Sequence, residues 1–353
     1  MSKHARCIWS VFFALLASML LSQAVYASVL YRIGVLARRE KDTCMLEWQE
    51  TARYLSGKIK MCSFEIVPLD FNEIKKAVGQ KEVDFLICNP AMYVELATYY
   101  DAQRIATLKR SDAGKTFGGF SAVILTRADA VGIRSLADIR KKSFMAVDAN
   151  SFDGWLMADR EFKEAGIYPY VDFKRLEFVG SHDAVVYAVR DGRVDAGTVS
   201  SGILESMERE GKISMREFKI INRDMYPDTS FPYEHSTRLY PEWPFLKLEQ
   251  TPDDVTEQVT VALLEMPPDS PAAKAAGCAG WTYTVSYKSV YECLEKVKYG
   301  PYRDWGKISL HELLKQYGKY IAAVFAGTAL LFFFTMRLLA LNRRLRRSNS
   351  SIR

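Results

Sequence analysis

The chain has 353 residues, of which 49% are hydrophobic and 25% are charged, and its formal net charge is +6. The excess charge sits at the two ends: residues 337–353 hold six arginines, residues 1–27 hold Lys3 and Arg6, and neither segment has an acidic residue. Taking these eight charges from +6 leaves −2 for the rest of the chain. This distribution argues against a nucleic-acid-binding protein.

The N-terminus has the pattern of an export signal. An apolar run over residues 8–21 follows the two basic residues, and small residues precede position 28. We predict a secretory signal peptide over residues 1–27, with an uncleaved signal anchor as the alternative. Either form exports the region that follows.

The exported region alternates β-rich runs with helical patterns, which predicts an α/β fold with largely parallel sheets. A first series reads, in chain order, as strand 29–36, helix 44–55, strand 63–69, helix from 70, strand 83–88, helix from 89, and strands 105–108 and 121–126. Two start signals stand out, a capping box at Asp70–Glu73 and the pair Asn89-Pro90.

The pattern then restarts. A second series reads as a short helix from 135, strand 143–147, helix 152–165, strand 173–179, helix 182–190, strand 194–199 and helix 203–210. Two similar series predict two lobes: lobe 1 over about 28–125 and 220–308, and lobe 2 over about 126–219. Residues 121–126 and 218–221 are predicted to be the two hinge connections.

The C-terminal region predicts one membrane-spanning helix. Ile321–Met336 contains no charge and, with Leu338–Leu341, gives about 20 apolar residues, enough to cross a ~30 Å hydrocarbon core. The helical pattern covers 309–347 with the span at about 321–341. The arginines that follow predict a cytoplasmic C-terminus, with 348–353 as a short stub. We therefore expect a single-pass protein of the bacterial inner membrane with its binding domain in the periplasm.

Five cysteines remain after the signal peptide, in a compartment that permits disulfides. We expect the pairs Cys278–Cys293 and Cys44–Cys62, which leave Cys88 as a free thiol or a small buried hydrophobe. The four histidines show no metal-ligand spacing, so neither a metal nor a cofactor is expected.

Candidate ligand-binding residues follow three predicted strands, where helices begin. Ligands of open parallel sheets bind at such edges, and helix N-termini suit anions. The candidates are Asn89, Tyr93, Ser151, Phe152, Gly154, Trp155, His182 and Asp183. Arg38 and Arg39, after the first strand, are candidate counter-charges, with a solvated loop as the alternative. Lys109 and Arg110, after another predicted strand, are a weaker version of the same pattern.

Each of these candidates also has a structural explanation. Asn89 and Ser151 can simply cap their helices. Gly154 can allow a ligand to approach the backbone, or it can simply relieve strain in the first helical turn. Tyr93 and Trp155 can line a pocket or belong to the core. His182 can donate to an anion, with Asp183 fixing its tautomer, or act as a surface cap.

Three segments around these residues resemble the phosphonate-binding, transferrin-like class of periplasmic binding proteins. They are VDFLICNPAMY (83–93), ILTRADAVGIRSLADIRKKSFMAVDANSFDGW (124–155) and VGSHDAVVYAVRDGRVDAG (179–197). The segment GWTYTVSYKSVYECLEKVKYGPYRDWGKISLHELLKQYGKYI (280–321), with the apolar helix and LNRRLRRS, resembles the sensor half of tetrathionate-responsive histidine kinases.

The resemblance implies a type II, clamshell binding fold that closes on a small anion and signals through its membrane helix. It places Asn89, Tyr93, Ser151, Gly154 and His182 at the ligand site and implies a homodimer. Many transport members have a Ser/Thr-rich start to the second-lobe helix, whereas this chain reads Asn-Ser-Phe-Asp-Gly, which argues against phosphonate. Related sensors continue into a kinase, so we expect a fragment, a split gene product or a kinase-less receptor.

Together these features predict a membrane-anchored periplasmic sensor for a small oxyanion, such as tetrathionate or a related sulfur or phosphorus anion. Its expected partner is a histidine kinase or response-regulator system. The alternative is a tethered substrate-binding component of a phosphate/phosphonate-type ABC transporter. No nucleophile or nucleotide-binding motif is present in the sequence, so we do not expect an enzyme.

Overall fold

The computed structural model describes residues 28–38, 40–112, 114–226, 230–306 and 310–350. The predicted signal peptide, Arg39, Ser309 and the last three residues lie outside these ranges. The chain divides into two compact units, Met1–Arg303 and Asp304–Arg353.

The strands of the described residues follow the predicted order closely. They are β1 Val29–Leu36, β2 Cys62–Leu69, β3 Phe85–Ile87, β4 Gln103–Asp112, β5 Lys115–Phe117, β6 Gly119–Phe120, β7 Ala122–Arg127, β8 Ser143–Ala146, β9 Arg175–Phe178, β10 Ala196–Ser200, β11 Phe218–Ile221, β12 Tyr240–Pro241, β13 Pro244–Lys247 and β14 Cys278–Thr282.

The α-helices lie between these strands, apart from the last two, which follow β14. They are α1 Lys41–Lys58, α2 Phe71–Gly79, α3 Pro90–Tyr100, α4 Met157–Glu164, α5 Pro169–Asp172, α6 His182–Arg190, α7 Ile203–Arg209, α8 Asp253–Leu264, α9 Pro271–Ala275, α10 Lys288–Val297 and α11 Leu310–Ser350. A π-helical turn, Phe152–Leu156, leads directly into α4.

Two sheets organise the first unit, and each is the centre of one lobe. Lobe 1 is built on a seven-stranded sheet in the order β14-β4-β13-β3-β1-β2, with β5 paired to β4, and lobe 2 on a five-stranded sheet in the order β11-β7-β10-β8-β9. Both sheets are mixed. In lobe 1, β1 is parallel to β2 and β3, whereas β13 is antiparallel to β3 and β4. In lobe 2, β10 is parallel to β8 and antiparallel to β7. The prediction of largely parallel sheets was therefore wrong, because strands that return late in the chain add antiparallel pairs.

The connection between the lobes differs from the one predicted. The strands β7 and β11, which correspond to the predicted hinge segments, pair with each other inside the five-stranded sheet. The pair β6 and β12 forms a separate two-stranded sheet. Because β6 precedes β7 and β12 precedes β13, this small sheet lies in the chain where it passes between the lobes.

Local signals explain where the helices begin. Asp70 and Glu73 form the predicted capping box of α2. Asn89 caps α3, with its side chain accepting from the Met92 N–H at 2.9 Å, and Pro90 occupies the first turn. Because α3 begins just after β3, this cap places Asn89 at the carboxyl edge of the lobe 1 sheet.

The cysteines do not pair as expected. All five cysteines among the described residues are free. Cys278 lies on β14, whereas Cys293 is buried on α10 and its thiol donates to the Leu156 carbonyl oxygen at 3.7 Å. Cys44 is buried in the core on α1 while Cys62 starts β2. Burial raises the pKa of the Cys293 thiol to about 12, so it behaves as a protonated core residue.

The second unit contains the long helix α11. Within it, Leu313–Arg344 is long and apolar enough to cross a membrane. At about 1.5 Å per residue, these 32 residues extend about 48 Å, more than a ~30 Å hydrocarbon core requires. The predicted apolar span therefore coincides with an uninterrupted helix.

Candidate functional site

A cavity of about 290 Å³ is lined by residues of both lobes. Lobe 1 contributes Arg38 after β1, Glu47 of α1 and the end of β4, while lobe 2 contributes the end of β10 and helix α7. Tyr233 and Glu242, in the chain that returns from lobe 2, also line it. The size suits a small molecule.

Arg38 joins the two lobes across this cavity. Its Nη2 donates to Ser200 Oγ of β10 at 2.9 Å, and the same nitrogen lies 3.7 Å from Asp153 Oδ2 of the π-helical turn. The guanidinium also lies over the Trp243 ring, 5.6 Å from its centroid. Burial and the nearby Arg110 lower the pKa of Arg38.

Asp153 is the buried counter-charge in this arrangement, with 3% of its side chain exposed. Burial alone would raise its pKa, but His182 and Arg38 outweigh that effect and the pKa is lowered. His182 is itself buried, and its Nδ1 accepts from the Ser200 N–H at 3.1 Å. A neutral His182 therefore carries its proton on Nε2.

A second guanidinium, that of Arg110, lies at the end of β4. Its Nε is 3.6 Å from Glu242 Oε1, and 3% of the Glu242 side chain is exposed. Burial would lower the pKa of Arg110, but Glu242 and Glu47 outweigh it, so the pKa is raised. Burial raises the pKa of Glu242 although Arg110 and Arg38 oppose the shift.

A third ion pair joins the lobes at the same cavity. Arg209 Nη1 of α7 lies 2.6 and 2.8 Å from the two carboxylate oxygens of Asp112, at the end of β4. Tyr233 donates its hydroxyl to Asp112 Oδ2 at 2.6 Å. These contacts hold lobe 1 to lobe 2 at the edge of the cavity.

The predicted site residues fall into distinct groups. Arg38 and Asp183 line the cavity, and His182 lies buried behind Ser200. Ser151 caps the π-helical turn by accepting from the Gly154 N–H at 3.0 Å. A Cβ at Gly154 would come within 2.5 Å of Val147 Cγ2, so this glycine serves close packing within lobe 2.

The predicted aromatic walls belong to the core. Phe152 packs on Tyr240 with 5.0 Å between ring centroids, and Trp155 packs on Phe178 at 5.6 Å. Tyr93 meets the ring of Tyr287 edge-on at 5.6 Å. Cys88, at the end of the lobe 1 strand, is fully buried and burial raises its pKa, so it packs as a small hydrophobe.

Three buried donors beside the ends of β1, β3 and β13 have no hydrogen-bond partner within the described residues. They are Arg38 Nε, Asn89 Nδ2 and Trp243 Nε1. Asn89 follows β3 and Arg38 follows β1, and these two strands are paired at Val35 and Ile87. A buried donor without a partner lowers the stability of the fold by its lost hydration, so these three donors favour a ligand that accepts hydrogen bonds.

Sequence reasoning missed part of the lining. Arg110 was a weaker counter-charge candidate in the sequence and lines the cavity, whereas Glu47, Arg209, Glu242 and Lys274 had no recognisable signal. Glu242 lies in the late return of the chain, and its position beside Arg110 depends on the antiparallel placement of β13.

The two mixed α/β sheets, their two-stranded connection and the polar cavity between them define a type II periplasmic binding protein. A family model described as "ABC transporter, phosphonate, periplasmic substrate-binding protein" matches residues 33–285. The chain belongs to this phosphonate-binding family of periplasmic proteins.

A curated relative links the family to sensing. The chain is 34% identical over 274 residues to the tetrathionate sensor histidine kinase TtrS of Salmonella typhimurium, an alignment that covers 77% of this chain and 44% of TtrS. The chain thus spans less than half the length of this relative. The matched region is a periplasmic ligand-binding sensor domain and not a catalytic kinase domain.

Solved structures agree on the fold. PhnD1 of Prochlorococcus marinus, in complex with methylphosphonate, has a TM-score of 0.63 at 16% identity and covers 76% of this chain and 98% of its own. XAC2383 of Xanthomonas citri, bound to ATP, has a TM-score of 0.61 at 18% identity and covers 79% and 100%. At these identities the likeness concerns the fold alone.

Proposed function

We propose that this chain is a membrane-anchored periplasmic sensor that binds a small oxyanion, with tetrathionate as the first candidate, in the cavity between its lobes. The observation that carries the proposal is the cavity itself, a space of about 290 Å³ lined by the guanidiniums of Arg38, Arg110 and Arg209. Arg38 Nε is buried there and has no hydrogen-bond partner among the described residues. Guanidinium groups are the preferred protein donors to planar and tetrahedral oxyanions. The relative that supports tetrathionate is the sensor kinase described above.

Ligand binding stabilises the closed arrangement because the anion contacts both lobes only when they are together. Arg38 belongs to lobe 1 and Ser200 to lobe 2, so a ligand that accepts from both favours closure. The C-terminus is proposed to be cytoplasmic, and the output a histidine kinase or response-regulator system. The active form is proposed to be a homodimer.

The route of the signal is proposed to run through α10, the last α-helix before α11 in the chain. Next to α10, the Tyr299 hydroxyl donates to Asn150 Oδ1 of lobe 2 at 3.0 Å. Lys163 Nζ of α4 donates to the Val297 carbonyl oxygen at 3.0 Å. Movement of lobe 2 therefore acts on the segment that leads to the membrane helix.

A screen of the full chain in nanodiscs tests the ligand. Thermal unfolding is followed against tetrathionate, thiosulfate, sulfate, phosphate and methylphosphonate, with glucose as an uncharged control. A ligand raises the unfolding temperature in proportion to the logarithm of its concentration over its dissociation constant. We expect stabilisation by at least one sulfur oxyanion. No shift with any anion would contradict the proposal.

The second candidate function is the tethered binding component of an ABC transporter, which the family description favours. Transport requires α11 only as a membrane tether, whereas sensing requires it as a continuous helix. Inserting Gly-Ser within Lys315–Gly318 leaves a tether intact but interrupts a helix that transmits movement. Loss of the ligand-dependent response with unchanged uptake supports sensing; loss of uptake with an unchanged response supports transport.

A further inference from the structure

The candidate cavity contains as many acidic side chains as basic ones. Its lining residues with ionisable groups of either sign are Arg38, Arg110, Arg209, Lys274, Glu47, Asp112, Asp183 and Glu242. The three arginines are paired with carboxylates of the protein, Arg38 with Asp153, Arg110 with Glu242 and Arg209 with Asp112. A dianion that enters this cavity therefore meets no excess of positive charge.

Glu242 is the carboxylate on which this charge balance depends most. It is buried, its Oε1 lies 3.6 Å from Arg110 Nε, and its Oε2 accepts from the Trp243 N–H at 3.3 Å. Charged groups face it from the surrounding elements, as do the neutral Tyr287 and Cys278. The charged groups are Arg110 of β4, Arg38 after β1 and Asp153 of the π-helical turn, with Glu47 of α1 beside Arg110.

Asp153 and Glu242 respond differently to a new negative charge. The lowered pKa of Asp153 keeps it ionised beside Arg38 and His182. Burial has already raised the pKa of Glu242. A neighbouring anion raises it further, so a smaller additional shift is needed for Glu242 to take up a proton from solvent. Of these two buried carboxylates, Glu242 is thus the one better placed to give up its charge, and it is the one that lines the cavity.

We propose that binding of a dianion in this cavity is accompanied by the uptake of one proton on Glu242, which frees Arg110 from its internal ion pair to contact the ligand. The proton comes from solvent, and the carboxylate becomes a carboxylic acid. This inference rests on the proposed oxyanion function and deepens it, since the sensor then reads acidity together with its ligand.

The sign of the pH dependence follows from linkage. When the bound state holds one proton more than the free state, affinity is highest at low pH and falls as pH rises, by up to about tenfold per pH unit. The fall occurs between the pKa of Glu242 in the free protein and its higher pKa in the complex.

Isothermal titration calorimetry of the full chain in nanodiscs tests the proposal. The probe is sodium tetrathionate, the dianion of a strong acid, which does not itself titrate between about pH 5.5 and 8.5. Two buffers of different ionisation enthalpy give the number of protons taken up. We expect about one proton per ligand near neutral pH and a loss of affinity of about tenfold or more across the range.

Glu242→Gln provides the matched variant, because glutamine keeps the shape and an acceptor for Trp243. We expect its affinity near pH 8 to exceed that of the wild type by about tenfold or more, without pH dependence. Glu249→Gln is the control, since Glu249 is 65% exposed and pairs with Lys81. It should behave as the wild type.

Each outcome decides the matter. Wild-type binding without pH dependence or proton uptake overturns this inference and leaves the proposed function standing, and this readout does not need a folded variant. Unchanged pH dependence in Glu242→Gln assigns the proton to another group, such as His182, and also overturns it. Binding by the variant alone supports the inference and refutes tetrathionate as the ligand of the native chain. No binding by either protein refutes the inference and tetrathionate as the ligand, while the oxyanion function itself is decided by the thermal screen of the other anions.

Discussion

Replacing Arg38 by alanine is the perturbation whose cost follows most directly from the geometry. The change removes the hydrogen bond to Ser200 and leaves Asp153 as a buried carboxylate, with 3% of its side chain exposed, without its cation. Removing one partner of a buried ion pair costs about 3–5 kcal/mol. Arg38 is 22% exposed, so water can reach the vacated space, and we expect about 3 kcal/mol.

The double variant Arg38→Ala/Asp153→Asn separates the cost of leaving Asp153 without its cation from the cost of losing the Arg38 side chain itself. Without the carboxylate no buried charge is left alone, so we expect a loss of only about 1 kcal/mol. The assay is urea unfolding of the full chain in nanodiscs, followed by tryptophan fluorescence, with the exposed Arg216→Ala as control. A double variant as unstable as the single one would refute the reasoning.

The same pair predicts a dependence on pH. Because the pKa of Asp153 is lowered in the folded protein, its contribution is present above its unfolded pKa of about 4 and is lost as pH falls through the folded value. The stability difference between the wild type and Asp153→Asn should therefore shrink below about pH 4. A difference that stays constant down to about pH 2.5 would contradict this assignment.

Three further predictions concern contacts other than the Arg38–Asp153 pair. Asp112→Asn should lower the free energy of unfolding by less than about 1 kcal/mol in the same urea assay, because its partner Arg209 is 58% exposed; a loss above about 2 kcal/mol would contradict this. Gly154→Ala should cost about 1–3 kcal/mol, because the added Cβ meets Val147, and an unchanged midpoint would show that the turn has room. Tyr299→Phe should preserve ligand affinity but weaken the response in a reporter strain that supplies the kinase partner; a full response would remove this residue from the signal route.

Much of lobe 1 was predictable because its signals are local. The bounds predicted for β1 agree with the structure, and the capping box at Asp70 and the start of α3 at Asn89 were read from neighbouring residues. The apolar helix near the C-terminus was predictable for the same reason, since its length and composition suffice. Such features need no knowledge of which strands pair.

Features that depend on long-range pairing could not be read from the sequence. The mixed sheet of lobe 1 arises because β13 and β14 return after the whole of lobe 2, and that of lobe 2 because β7 pairs antiparallel with β10 and β11. Glu242 immediately precedes that return, so its position against Arg110 was hidden, although Arg110 itself showed the pattern of a strand-end cation. The cysteine pairs failed for a related reason, since spacing alone did not show that the Cys293 thiol contacts the Leu156 carbonyl oxygen and not Cys278.

Residue type also proved less informative than position at the candidate site. Trp155 and Phe152 lie beside polar residues in the sequence, yet both are in the core because the π-helical turn directs them inward. His182 looked like a donor at a helix start, yet its Nδ1 accepts from the backbone of Ser200. Among the predicted counter-charges in the described residues, Arg38 and Arg110 line the cavity and Lys109 does not.

The tetrathionate affinity of Arg38→Gln tests the central claim most directly. Calorimetry on the full chain in nanodiscs compares this variant with the wild type and with Arg216→Gln. If an oxyanion binds in the cavity through Arg38, losing a charge-assisted contact of about 2–3 kcal/mol should weaken binding roughly 30- to 150-fold, while the control is unchanged. Tight binding that is indifferent to Arg38→Gln would place the ligand elsewhere and contradict the account.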